Sequence, residues 1–135
     1  MEVKQMIDLH PNKCNICGGD VIFTDNKIIY GKNFGSGKMY LCTKCNAYVG
    51  THEPRPTEAL GLLANKEMRD MKMKCHELFD DKWKHERTSK ARHRARQQAY
   101  KDLAEALNIS LDDCHFGYFD MDMLSRAYGI LSAAI

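Results

Sequence analysis

Four cysteines carry the clearest chemistry in this sequence. Cys14 and Cys17 form one Cys-x-x-Cys pair and Cys42 and Cys45 a second, with 24 residues between the pairs. A Cys-x-x-Cys turn aims two sulfurs at one point, and its backbone N–H groups stabilise the thiolates. Two such turns complete a tetrahedron of sulfur around zinc, at about 2.3 Å per bond. The competing readings are buried thiols, disulfides or a redox pair. With no export signal the thiols are expected to stay reduced, and two pairs in one small segment favour shared coordination over redox chemistry. Four thiolates leave no position open for substrate, so one structural zinc is expected. His52, seven residues beyond Cys45, would enter the shell only by displacing a cysteine, and reads as a surface or packing histidine.

A second group is cationic. Lys82, Lys84, Arg87, Lys90, Arg92, Arg94 and Arg96 fall within fifteen residues, countered by Glu86 alone, with Trp83, His85 and His93 interleaved. On a helix with Ala91, Ala95 and Ala99 facing inward, these cations would cover the remaining circumference. Such a face can neutralise phosphates, bind an acidic protein surface or merely keep the helix solvated.

A third group is Arg69, Cys75-His76, Asp80 and Cys114-His115. His76 and Asp80 are i,i+4 neighbours on a helix, and a carboxylate that orients an imidazole prepares it for general-base work. Hydrolysis through His76, Asp80 and His115 is therefore one reading, and it requires the three side chains to converge. A second metal at Cys75 and Cys114 is another, although adjacent helical residues point about 100° apart and Cys75 lies on an apolar stripe. The plain reading is a helix-surface pair and packed thiols. No nucleophile elbow, His-Glu-x-x-His motif or acidic two-metal cluster accompanies these residues. Gly31 to Lys38 resembles a phosphate loop, but its glycine spacing is one residue too long and Met39 stands where Ser or Thr is needed.

The elements that position these groups are legible from pattern. Residues 21–24, 28–30 and 47–49 read as strands around a turn at Asp25-Asn26-Lys27 and a glycine-rich loop, which makes zinc-ribbon grammar over residues 1–56. Residues 57–135 read as helical and as one compact unit with the ribbon. Thr57 is a candidate cap for a helix whose stripe holds Leu60, Ala64, Met68, Met71, Cys75 and Leu78 or Phe79. A second helix fits 87–107 and ends at Asn108. Ser110 with Asp113 opens a short turn that Gly117 breaks, and Asp120 caps a last helix through Leu131. The expected fold is α+β: a zinc ribbon packed on about three helices.

At 135 residues the chain is one ordinary domain in size, and 28% charged residues without low-complexity tracts argue against disorder. No apolar run reaches the roughly 20 residues of a membrane helix, and Met1 to His10 lacks the pattern of a signal peptide. A cytoplasmic protein with no membrane partner is expected. The net charge of +2 hides a strong local asymmetry, because residues 82–96 alone carry seven cations against one anion.

The order Cys-x-x-Cys-Gly, Ile29 to Gly31, Tyr40 to His52, Met68-Arg69, His76, Phe79-Asp80-x-x-Trp83, Ala99-Tyr100 and Cys114-His115-Phe116-Gly117 resembles a family of small zinc-finger-containing proteins from bacteria and their phages. The resemblance runs from about Cys14 to Leu124. It implies zinc at Cys14, Cys17, Cys42 and Cys45, and draws interest to His52, Arg69, His76, Asp80, Trp83 and His115 without naming a reaction. The basic stretch from Ser89 to Arg96 reads as an insertion peculiar to this chain. In a phage-encoded protein the compartment would be the host cytoplasm. Three functions follow as expectations: a binding module for nucleic acid or a nucleic-acid-handling complex, a protein–protein regulator, and, less favoured, the hydrolytic enzyme.

Overall fold

The computed structural model describes residues 7–133, so most of the leader reading for Met1 to His10 lies outside the described residues. The chain divides into two compact units, residues 7–67 and residues 68–133.

In the first unit, β1 (Val21–Asp25), β2 (Lys38–Cys42) and β3 (Tyr48–Gly50) form an antiparallel sheet in the order β1-β2-β3. Val21 pairs with Cys42 and Met39 with Gly50. This register puts Tyr40 and Val49 on one face, where they join Cys14, Cys42, Ala47, Ala59 and Leu63 in a small buried cluster. A core of this size contributes little stability alone, so the metal site beside it has to supply the rest.

Two expectations fail in this unit. Residues 28–30 are not a strand but part of a one-turn helix, α1 (Lys27–Tyr30). The Asn26 amide clamps Phe34 through both its N–H (3.0 Å) and its carbonyl (2.7 Å), and Gly31 ends the turn in the left-handed conformation at φ +81. That local clamp outweighs the β preference of two isoleucines. Nor does Thr57 cap a helix. Residues 57–65 run through turns and bends, with Ala64 bridging Tyr48 and Ala59 bridging Thr51. Leu63 gives both its backbone groups to the Asn15 side chain, at 2.9 and 3.0 Å. These long-range bonds replace the helical ladder that the spacing of Leu60 and Ala64 suggests.

The helices are α2 (Lys66–Asp80), α3 (Ser89–Leu107) and α4 (Met121–Ala133), with 3₁₀ turns at Leu111–Asp113 and Phe116–Tyr118. On α2 the buried residues are Met68, Cys75 and Phe79. Thr88 caps α3 by accepting the Ala91 N–H, and Asn108 closes it in the left-handed region at φ 58. Burial on α3 begins at Ala99 and continues through Leu103, Ala104 and Leu107, so Ala91 and Ala95 are only partly covered. Ser110 opens the first 3₁₀ turn as expected, but Gly117 sits inside the second one and does not break it. Asp120 caps α4 through the Met123 N–H at 2.9 Å. Phe79, Tyr100, Phe116 and Phe119 form an aromatic chain with ring centroids 4.5–5.8 Å apart. No helix of the described residues is long and apolar enough to cross a membrane.

Candidate metal centre and basic face

Two knuckles of matching backbone geometry build the metal site. In the first, Cys14 N–H donates to Gly19 (2.8 Å) and Gly18 N–H to Cys14 (2.9 Å); in the second, Cys42 N–H donates to Ala47 (2.8 Å) and Asn46 N–H to Cys42 (3.1 Å). Each knuckle therefore turns at a left-handed residue four positions after its first cysteine, Gly18 at φ 75 and Asn46 at φ 65. Gly19 serves a different need. A Cβ there would lie 2.7 Å from Lys44 Cβ and 3.2 Å from the sulfurs of both Cys17 and Cys42, so only glycine lets the knuckles approach. The knuckles are also joined by Thr43, whose N–H and hydroxyl both reach the Asp20 carbonyl, at 2.9 and 3.0 Å.

All four sulfurs lie within 4.8 Å of one another, with Cys17–Cys42 at 3.5 Å and Cys14–Cys45 at 3.7 Å, and none forms a disulfide. A sulfur tetrahedron with bonds of about 2.3 Å has edges of about 3.8 Å, so the set fits zinc. Cys42 accepts the N–H groups of Cys45 and Lys44, each at 3.4 Å, which with contacts from neighbouring sulfurs bring its pKa down to about 6 despite burial. At Cys45 the Ala47 N–H favours the thiolate, but burial and the surrounding sulfurs outweigh it and push the thiol up to about 12. Thiolates this close repel one another until a cation neutralises them. The four cysteines are the site of one structural zinc ion, which supplies cross-linking between the knuckles. Among the described residues no other group of three or more such ligands gathers.

The seven predicted cations do not act alike. Arg92 turns back to the chain, donating to the Glu86 carbonyl (2.9 Å) and Ser89 Oγ (3.2 Å). Arg96 lies over the Trp83 and Tyr100 rings, 5.7 and 5.2 Å from their centroids, and donates to the Tyr100 hydroxyl. Lys84 pairs with Asp81 at 3.1 Å. Lys82, Arg87, Lys90 and Arg94 are exposed and form no ion pair among the described residues. Along α3, Lys90, Arg94, Gln97 and Lys101 occur at intervals of 4, 3 and 4 residues, a single exposed stripe turned away from Ala99, Leu103 and Leu107. Lys101 was not among the predicted cations; the α3 helical period could have added it.

His76, Asp80 and His115 each meet a different neighbour. The His76 ring meets Phe116 edge-on at 4.6 Å, and burial against it lowers the His76 pKa, opposed by Asp80 and aided by Lys72 and Arg96. Asp80 instead accepts the Trp83 indole N–H at 3.1 Å. His115 packs beside Tyr118 and lines a cavity to which neither His76 nor Asp80 contributes. Arg69 is half-buried on α2, two turns before His76. Cys75 and Cys114 are buried thiols, each pushed up to about 11 by desolvation, and Cys75 Sγ lies 3.6 Å from the Leu124 carbonyl. His52 lines an open groove of about 720 Å³ in the first unit, with Tyr30, Phe34, Met39 and Leu60.

No curated protein and no solved structure matches the chain. A family profile does match, over residues 10–133, and its description is a zinc-finger-containing domain. That span takes in the four-cysteine site, the basic helix and the His76 and His115 segments, and the chain belongs to this zinc-finger-containing family, DUF3268.

Proposed function

We propose that the protein is a zinc-stabilised binding module that contacts the phosphate backbone of a nucleic acid through the exposed stripe of α3. The observation that carries this reading is the placement of cations where they cost stability. Lys90 stands in the first turn of α3 and Arg87 just before it, with no acidic residue in that turn. The positive end of the helix dipole disfavours such charges by about 0.3–1 kcal/mol each. An anion lying along Lys90, Arg94 and Lys101 turns this local repulsion into attraction, with each phosphate contact releasing counterions.

The test is fluorescence anisotropy of labelled DNA and RNA titrated with the zinc-loaded chain across a range of salt. Binding should weaken with salt. Each of Lys90→Ala, Arg94→Ala and Lys101→Ala should lower the log–log slope by roughly 0.7–0.9. Binding unchanged in the triple variant refutes the reading.

A second reading, as a protein–protein regulator, draws support from the apolar surface of the first unit. Ile28, Ile29, Tyr30, Phe34 and Leu60 are each 40–61% exposed. Contiguous apolar exposure of this kind favours a partner. Capture from bacterial lysate that survives nuclease treatment and is lost in Ile28→Ser/Phe34→Ser would support it. The hydrolytic alternative has no support in the geometry of His76, Asp80 and His115.

A further inference from the structure

Beside the basic stripe lies a cavity of about 390 Å³, walled by Arg96, Gln97, Tyr100 and Lys101 of α3 and by Leu111, Asp112, Cys114 and His115. Building on the α3 reading, we infer that this cavity receives an unstacked base, so that the nucleic acid bound along α3 is single-stranded.

The cavity and the stripe share two residues. Gln97 and Lys101 both line the cavity and stand in the exposed row with Lys90 and Arg94. A strand whose phosphates follow that row therefore passes the cavity mouth, within reach of a flipped base. The chemistry of the walls suits a base better than a bare anion. Leu111 is 48% exposed and offers an apolar surface, and the Tyr100 ring offers a second. Gln97, Asp112 and His115 supply both donors and acceptors for a base edge, and the Asp112 carboxylate disfavours a phosphate placed deep inside. Arg96 is already held over the Trp83 and Tyr100 rings, so little side-chain freedom is lost when a π-face arrives beside it. A base within a duplex would first have to be unpaired and unstacked, which disfavours double-stranded ligands.

The experiment compares three fluorescein-labelled probes against the full zinc-loaded chain. They are an oligothymidylate of roughly 12 nucleotides, within the site size of single-strand binders, an abasic strand of equal length, and a duplex of that length. Trp83 is the single tryptophan, and its contact with Arg96 makes its emission a reporter of the cavity. The oligothymidylate should bind at least about fivefold more tightly than the abasic strand, as one stacked base provides, and should alone alter Trp83 emission. Leu111→Ala/His115→Ala changes exposed side chains outside the α3 row, so folding is retained. It should erase the difference between the two strands while leaving abasic binding intact. Equal salt-dependent binding of normal and abasic strands, or a duplex bound as tightly as the single strand, overturns the base cavity and leaves the α3 reading standing. Failure of all three probes to bind overturns both.

Discussion

Replacing Gly19 by alanine should weaken zinc binding more than replacing Gly18, although Gly18 has the less ordinary backbone. At Gly18, φ is +75 and an added Cβ meets nothing within 4 Å, so the penalty is conformational only. The left-handed region costs an L-residue about 1–2 kcal/mol, offset by about 0.4–1 kcal/mol from a stiffer unfolded chain. The net is about 1 kcal/mol, near fivefold in affinity. At Gly19 the new Cβ would stand 2.7 Å from Lys44 Cβ, an atom fixed to the backbone of the other knuckle, and 3.2 Å from two ligand sulfurs. Relief requires the knuckles to separate. Overpacking of this kind costs about 1–3 kcal/mol, which reaches about a hundredfold in affinity. Metal binding and folding of so small a unit are coupled, so the cost appears in the zinc dissociation constant. Competition against a chromophoric chelator, with the full chain, measures it. Asn46 at φ 65 occupies the position equivalent to Gly18, so Gly18→Asn should bind zinc more tightly than Gly18→Ala. The reasoning is refuted if Gly19→Ala binds zinc like the parent chain, or if Gly18→Asn gains nothing over Gly18→Ala.

Other consequences are equally open to measurement. Lys90→Glu should raise stability in urea titrations by about 0.3–1 kcal/mol, by complementing the helix dipole, while it weakens nucleic-acid binding; a destabilised variant would contradict the dipole argument. Thr88→Ala removes the α3 cap and should cost about 1 kcal/mol in the same titrations, and no change would show that the cap bond is immaterial. Burial lowers the His76 pKa, so the folded chain holds it neutral where the unfolded chain begins to protonate, near the ordinary value of 6.5. The unfolded state then binds more protons, and stability falls as pH drops through that value. His76→Gln should flatten this acid loss relative to the parent chain; parallel curves would exclude a role for His76. Chelating the zinc should strip hydrogen-exchange protection from the amides of β2 and β3 while Leu103, Leu107 and Leu124 keep theirs, and equal loss in both groups would tie the helical core to the metal.

Elements whose signals are local were readable in advance. Asn108, Ser110 and Asp120 act at helix ends through bonds to neighbours within a few residues, and each stands where its chemistry predicts. The misread segments are those decided by partners outside the segment itself. Residues 57–65 carry a helical spacing, yet Tyr48, Thr51 and Asn15 claim their backbone groups. Ile28 to Tyr30 carry a strand composition, yet the Asn26 clamp on Phe34 folds them into a turn.

The zinc site shows the same division. Ligand identity and number follow from two Cys-x-x-Cys turns, because the turn itself sets the convergence of each sulfur pair. That Gly18 answers a dihedral need and Gly19 a steric one is invisible until the second knuckle is placed against the first. The basic stretch is plain in the sequence as a count of charges, but a count does not say where side chains end. Contacts with the Glu86 carbonyl and the Trp83 and Tyr100 rings hold Arg92 and Arg96 against the chain and leave Lys90, Arg94 and Lys101 in a row beside a cavity, because stacking partners and carbonyl acceptors are brought into place only in the folded chain.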